Sequence, residues 1–557
     1  MEVAYKLTSS LEKIFFERPD GVPEQTHGTM LKNEIYSFQL AIWCKNQEDQ
    51  KIPCKIKVKS PLADCIRVFT EGYVPVMLPS IYIDDDNDYI DKMPHITTDP
   101  LFPVEDDEIL LVDGQTRAFW FEVEPKSAHV GIFPIEIEVW TMGEPTIWNP
   151  DKKPELVLQD TYTIEILDAE LPELPISNTA WFYGDCLAKL HNVEIGSPEY
   201  YEITEKYLDI YTKFGHNTIL TPVVTPPLNT KIGKERPTNQ LVDVTISGGK
   251  YSFGFEKLKH WIDLCKKHGV RGFEITHIFT QWGAKCAPKV MATVDGEYKR
   301  IFGWETDAAS EEYQQFLDAF LPALIEFLKA EGVYDDCYFH TSDEPAEQHM
   351  ESYSLAKRAM LRHLPDEKFI DAMAEYCYYE RGLIYHPVVS SDHIHKFQEK
   401  GAKHLWTYYC MSQRKDVSNR FMAQPSYRNR VLGCQLYKSQ VEGFLHWGYN
   451  FWFTADSQKV IDPYIDTTAG SNYQSGDSYL VYPLNHNGEV ICSHRLYVFN
   501  EALQDLRALT LLEKLTSREE VEALLTEVND FNVYPRNNAY LLELREHVNR
   551  LIAEKIG

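Results

Sequence analysis

Two adjacent carboxyls, Asp343 and Glu344 in the segment YFHTSDEP, are the residues of this sequence best placed to do chemistry. Cleaving a glycosidic bond ordinarily takes two carboxyls that face the bond across roughly 5–10 Å, one of them protonated near neutral pH. Neighbours in a chain do not span a sugar in that way. An adjacent pair suits a substrate-assisted route, in which the 2-acetamido oxygen of the sugar attacks its own anomeric carbon. The second carboxyl then gives a proton to the leaving oxygen, while the first holds the acetamido N–H and stabilises an oxazolinium-like intermediate. The spacing therefore points toward N-acetylhexosamines. The dipeptide alone says little, because Asp107-Glu108 and Asp366-Glu367 repeat it. Context separates the copies: Asp343-Glu344 follows the apolar-aromatic Cys337-Tyr338-Phe339 and precedes Pro345, a residue suited to the first position of a helix. Both carboxyls then sit at a strand end. The alternative is that Asp343 caps the helix and Glu344 fills its first turn.

The elements that must position this pair fall into three parts. Over residues 1–170 the pattern has period two: Ile52, Cys54, Ile56 and Val58 alternate with Lys51, Lys55, Lys57 and Lys59, and Ile135, Ile137 and Val139 with Glu136 and Glu138. Half-buried strands between turn-rich loops predict an antiparallel β-sandwich. A linker around Pro172 and Pro175 follows, and from 176 to 512 strand and helix patterns alternate. Candidate strands lie near Trp181, His216, Arg271, Cys337, Lys368, Pro387, Lys403 and Gly443. Eight such units predict a (β/α)8 TIM barrel, whose site forms at the strand C-termini. The helix beginning near His494 is expected to be the barrel's last. Residues 513–557 read as C-terminal helices packed on the barrel; Leu541, Leu544, Val548, Leu551 and Ile552 give the final one an apolar stripe. The fold class is thus multidomain α/β.

Position at strand ends nominates further substrate-binding residues: Asp185 after strand one, His277 after strand three, Trp406 and Tyr408 on strand seven, and Trp447 and Asn450 on strand eight. Trp447 could form a sugar platform and Asn450 could bind a hydroxyl, although rings at such positions also pack barrel interiors. Asp477, between Gly476 and Ser478, could reach a hydroxyl from a loop. No metal is expected. Asp392, His393 and His395 lack a spacing that completes a site, and the sequence has no CxxC pair, phosphate loop or nucleophile elbow. No cofactor is implied.

Composition narrows the partners. Acidic residues outnumber basic ones 84 to 55, and a net charge of −29 would repel nucleic acid and anionic membrane surfaces. Aromatics make up 13% of the chain, which leans toward carbohydrate. Eleven scattered cysteines and the absence of a signal-like leader predict a cytoplasmic location without membrane insertion. Whether the chain forms a homo-oligomer is left open.

HTSDEP, GDCLA, TPVVTPPLNT, LWTYYC, HWGYNFW and GDSYLVYP together resemble glycoside hydrolase family 123, over nearly the whole chain. The resemblance implies a retaining, substrate-assisted β-N-acetylgalactosaminidase with a sandwich before its barrel. Asp343 would orient the acetamido group and Glu344 would be the general acid/base. The substrate would be an oligosaccharide or glycoconjugate with a terminal N-acetylhexosamine. Two alternatives stand beside this: a glycosidase for N-acetylglucosamine or a plain hexose, whose distant second carboxylate would be sought at Asp185 or Asp371, and a non-catalytic carbohydrate-binding barrel.

Overall fold

Strands that alternate apolar and polar residues can bury one face and wet the other, and the first part of the chain does this twice. In the computed structural model, which describes residues 1–556 apart from 47–49, 83–84, 144–152, 458 and 485–487, two five-stranded sheets form. One has the order Glu2–Ser9, Tyr36–Lys45, Thr116–Val123, Ile66–Val76, His95–Pro103, all antiparallel. The other has the order His27–Leu31, Leu156–Leu167, Gly131–Thr141, Lys51–Lys59, Glu108–Val112. On Lys51–Lys59 the alternation holds as expected, with Ile52, Cys54 and Ile56 buried and Lys51, Lys57 and Lys59 exposed. The inward faces of both sheets share one apolar cluster, in which Phe38 stacks between Phe121 and Tyr162 at ring separations of 4.7 and 3.9 Å. The expected antiparallel arrangement has one exception: His27–Leu31 runs parallel to Leu156–Leu167, two strands too far apart in sequence to be joined by a hairpin.

These sheets belong to a compact unit made of residues 1–175, 418–438 and 491–557. The helices His494–Leu515 and Asn538–Ile556 are part of it, where the sequence leads us to expect the first as the barrel's last helix and the second packed on the barrel. Polar contacts show why. Arg545 pairs with Asp505 at 2.9 Å and with Glu34, and Asn549 Nδ2 donates to Thr29 Oγ1 at 3.0 Å. An apolar stripe shows that a helix buries a face but not what covers it.

The second unit, residues 176–417 and 439–490, is a ring of eight parallel strands. They are β1 (Ser177–Ala180), β2 (Thr218–Thr221), β3 (Gly272–Ile275), β4 (Cys337–Phe339), β5 (Ile370–Met373), β6 (His386–Ser390), β7 (Trp406–Tyr408) and β8 (Gly443–His446). β1 pairs with both β2 and β8, and the ring closes between β4 and β5 through one parallel bridge, Phe339 to Phe369. Helices such as Glu256–Lys267, Glu311–Ala330 and Met350–Leu361 connect the strands, as the alternation predicts. A four-stranded sheet of Asp243–Ser247, Lys250–Gly254, Val290–Val294 and Glu297–Phe302 was not anticipated. It consists of two hairpins, one after β2 and one after β3, joined by a parallel pairing.

Candidate active site

β4 ends at Phe339, and the chain leaves it as His340-Thr341-Ser342-Asp343-Glu344. Pro345 does not open a helix, because the first helical turn is Glu347–His349 with Ala346 at its cap. Asp343 and Glu344 therefore precede the helix and cap nothing. Two backbone bonds hold the pair: Trp282 N donates to the Asp343 carbonyl at 2.9 Å, and Glu344 N donates to the Ala372 carbonyl at 3.1 Å. Glu344 has φ = 43°, a conformation unfavourable for a residue with a side chain, of the kind that clusters at functional sites.

The pair lies at a cleft of about 180 Å³ walled by Trp181, Trp282, Tyr408, Trp447 and Tyr473, with Asn229 and Gln281 among its polar groups. That is small against the ~300–1,000 Å³ of larger ligand sites and suits a single sugar unit. Among the described lining residues, Asp343 and Glu344 are the only carboxylates. Tyr408 Oη donates to Glu344 Oε1 at 2.6 Å. Burial pushes the Glu344 carboxyl up, partly opposed by that Tyr408 bond. Burial and the neighbouring Glu344 charge also push Asp343 well above the usual carboxylate range, against the pull of His340. Both carboxyls are thus biased toward their protonated forms.

A second group of charges supports the pair from within the barrel. His340 Nε2 meets Glu274 Oε1 at 2.6 Å, and its Nδ1 lies 3.4 Å from Asp371 Oδ1. Burial disfavours the imidazolium, but the bonds to Asp371 and Glu274 outweigh this and raise its pKa to about 9. Glu274 also accepts from Trp181 Nε1 at 2.6 Å and Thr179 Oγ1 at 2.7 Å. Asp371 accepts from Thr341 N at 2.9 Å and Tyr353 Oη at 2.5 Å. The strand end that carries Asp343 is thus fixed to β3 and β5 by charge-assisted bonds.

The expected site residues divide. Tyr408 and Trp447 line the cleft. Asp477 accepts from Trp447 Nε1 at 3.0 Å, so it fixes the orientation of that ring. The others do not line the cleft. Asp185 is not on a strand but in the first turn of the helix Gly184–His191, buried against Arg236 at 2.9 and 3.0 Å. Trp406 opens β7, at the end away from the mouth, and covers Gly443, where a Cβ would lie 2.1 Å from its ring. Asn450 holds the Tyr183 backbone through bonds of 2.8 and 3.2 Å. His277 is fully buried, stacked on His340 with ring centroids 4.0 Å apart. Burial and the His340 charge hold its pKa well below the usual imidazole value.

Trp181, Asn229, Gln281, Trp282 and Tyr473 were missed. Only Trp181, directly after β1, carried a positional signal. Gln281 is informative. Asn229 N donates to its Oε1 at 3.0 Å, and since a backbone N–H only donates, the other end must be the NH₂. That Nε2 has no partner among the described residues, and the residue is 5% exposed. A donor waits beside the cleft. Nitrogen and oxygen ligand atoms of His277, His340 and Asp371 lie within 4.8 Å of one another. Both His340 nitrogens are already engaged, however, and its ring lies nearly flat on His277, at 16°. Such parallel rings do not converge on an ion.

A parallel barrel that carries its acidic pair at a strand end, in an aromatic-walled cleft, has the architecture of a glycosidase. The family model for the glycoside hydrolase 123 catalytic domain matches residues 181–512, and the chain belongs to glycoside hydrolase family 123. The structure matches a family 123 glycoside hydrolase from Clostridium perfringens, studied for glycolipid glycan hydrolysis, with a TM-score of 0.73 at 13% identity, covering 100% of this chain and 97% of the other. At that identity the likeness speaks for the fold. A GH10 xylanase from Thermobacillus composti (TM-score 0.30, 12% identity, 60% of this chain and 100% of the other) and a putative beta-galactosidase from Bacteroides fragilis (0.29, 8%, 90% and 62%) are far weaker likenesses and carry no argument. No curated protein matches the chain.

Proposed function

We propose that this glycosidase releases terminal β-linked N-acetylgalactosamine with retention, using the sugar's own acetamido group as nucleophile. One observation carries the proposal: the two carboxyls that line the cleft are adjacent, and among the described lining residues no third carboxylate faces them. Asp185 and Asp371, where a plain hexose would require one, are occupied by Arg236 and by Tyr353, Thr341 and His340 respectively.

The two raised carboxyls then give the proton a defined course. An acetamido N–H that reaches Asp343 favours its carboxylate, with the His340 imidazolium nearby, and leaves the proton on Glu344. The acetamido oxygen closes on the anomeric carbon as the glycosidic bond breaks, and Glu344 protonates the leaving oxygen. Glu344 next takes a proton from water as that water opens the oxazolinium, giving the retained product. Trp447, held by Asp477, would carry the apolar face of the sugar. Gln281 Nε2 would donate to a ring hydroxyl. Eleven free cysteines fit a reducing compartment, and we place the reaction in the cytoplasm, on oligosaccharide or glycoconjugate ends. The glycolipid glycans of the Clostridium perfringens study are one source of such ends.

The test uses aryl N-acetyl-β-galactosaminides and their gluco epimers. With a poor leaving group, Glu344→Gln should cost about 10²–10⁴-fold in kcat; with an excellent one, far less. Retained turnover on the poor leaving group sinks the acid assignment. A thiazoline analogue of the cyclised intermediate should bind Asp343→Asn much more weakly, and unchanged affinity would count against substrate assistance. A preference for the gluco epimer would change the sugar but leave the mechanism.

A further inference from the structure

A cavity larger than the cleft lies elsewhere. In the unit built from the two sheets, a cavity of about 530 Å³ opens against the end of Glu2–Ser9, the start of His27–Leu31 and the helices His494–Leu515 and Asn538–Ile556. Nothing in the glycosidase reaction uses it.

Its lining is one-sided in charge. Glu12, Glu24, Glu34, Glu501, Glu543 and Glu546 face two cations, Arg430 and Arg545. Neither arginine is free for an anion. Arg430 bonds Asp505 at 2.9 Å and Glu501 at 3.0 Å, and Arg545 bonds Asp505 at 2.9 Å, Asn549 at 2.8 Å and Glu34.

Its hydrogen-bonding balance is one-sided as well. Three lining oxygens have no partner among the described residues: Thr8 Oγ1, Gln25 Oε1 and Asn538 Oδ1. Thr8 is only 1% exposed. The amide orientations are fixed by their other ends. Gln25 Nε2 donates to the His27 carbonyl at 3.0 Å, and Asn538 Nδ2 donates to the Leu11 carbonyl at 3.2 Å and to Glu12 at 2.8 Å. A carbonyl only accepts, so in both amides the oxygen is the end left over. Two acceptors and a hydroxyl lie unmatched in a wall of carboxylates, and buried oxygens are costly to leave unmatched.

From this we infer a second ligand site, separate from the catalytic cleft, that binds a small molecule bearing a primary ammonium together with further N–H or O–H donors. An ammonium offers three donors and a positive charge, which is what the unmatched oxygens and the acidic rim lack. Amino sugars and short polyamines both present this chemistry. Neutral sugars lack the charge, and phosphate has the wrong sign.

The full chain is titrated by calorimetry with glucosamine, spermidine, glucose and inorganic phosphate at constant ionic strength. One of the two amines should bind saturably, while glucose and phosphate should not. Tighter binding of glucosamine identifies an amino-sugar site, and tighter binding of spermidine a polyamine site. Thr8→Val with Asn538→Leu should weaken the amine about tenfold or more, the scale of one lost polar contact. Hydrolysis of an aryl hexosaminide should stay unchanged in this variant. Glu543→Gln, on an exposed residue, should weaken binding several-fold without any folding defect and guards against misfolding of the double variant. If neither amine binds, or if both variants bind it as wild type does, the site does not exist as inferred. Loss of glycosidase activity in Glu344→Gln leaves this result untouched.

Discussion

The interior of the sheet unit and the interior of the barrel bury side chains for different ends. Between the two sheets the cluster is apolar, with Phe38, Phe121 and Tyr162 stacked and Ile135, Ile137 and Val139 in the same cluster. In the barrel, Glu274, His340 and Asp371 are fully buried, and charge-assisted bonds tie β3, the end of β4 and β5 together under the acidic pair. The first core stabilises by removing apolar area from water. The second is held by polar groups that stay favourable only while every partner is present. Damage to the first should appear as lost stability, and damage to the second as altered pH dependence and altered turnover.

The sharpest way to break that contrast is Phe38→Ala. It should cost about 3–5 kcal/mol of stability in urea unfolding, while kcat/KM of the folded fraction stays within a factor of about two, since general packing losses act on folding. A large drop in kcat/KM would erase the distinction. The next effect belongs to His340. Its folded-state pKa is raised from 6.5 to about 9, so the stabilisation is complete below the unfolded value and is lost as pH rises through about 9. That shift corresponds to about 3 kcal/mol. The unfolding midpoint should therefore fall between about pH 6.5 and 9, and His340→Gln should flatten the fall; a slope that survives the substitution assigns it elsewhere.

Smaller effects probe the cleft. Gln281→Met keeps length but removes the unmatched donor, and kcat/KM for the aryl hexosaminide should drop about tenfold, the worth of one hydrogen bond to a neutral group. Unchanged kinetics would remove Gln281 from the binding set. Tyr408→Phe should change least. Its hydroxyl lowers the Glu344 pKa, so its loss raises that pKa further, and the basic limb of the rate profile should move to higher pH. A shift to lower pH would contradict the bond between them.

How much of this was legible depended on what each element has to bury. Period-two alternation specified the sheet strands because a strand with one wet face writes its orientation into every second residue. The barrel strands were legible from their alternation with helices, and Asp343-Glu344 from its place after β4. Strand-end position was a poor guide to the remaining side chains. Trp406 and Tyr408 share one short strand, yet only Tyr408 reaches the cleft, because the other end of β7 lies away from the mouth. Asp185 was expected at a rim and instead neutralises buried Arg236, while Gln281 and Trp282 come from a connection with no periodic pattern.

The sequence by itself determined the strand and helix repeat and the adjacency of the acidic pair that follows β4. These are local properties, set by side-chain chemistry and by spacing along a few residues. Only the tertiary structure decided which partners neutralise Glu274, His340 and Asp371, which end of the Gln281 amide is left open, and where the C-terminal helices bury their stripe. Those outcomes depend on groups that lie far apart in the chain and meet only when the fold closes, and no local pattern records such meetings.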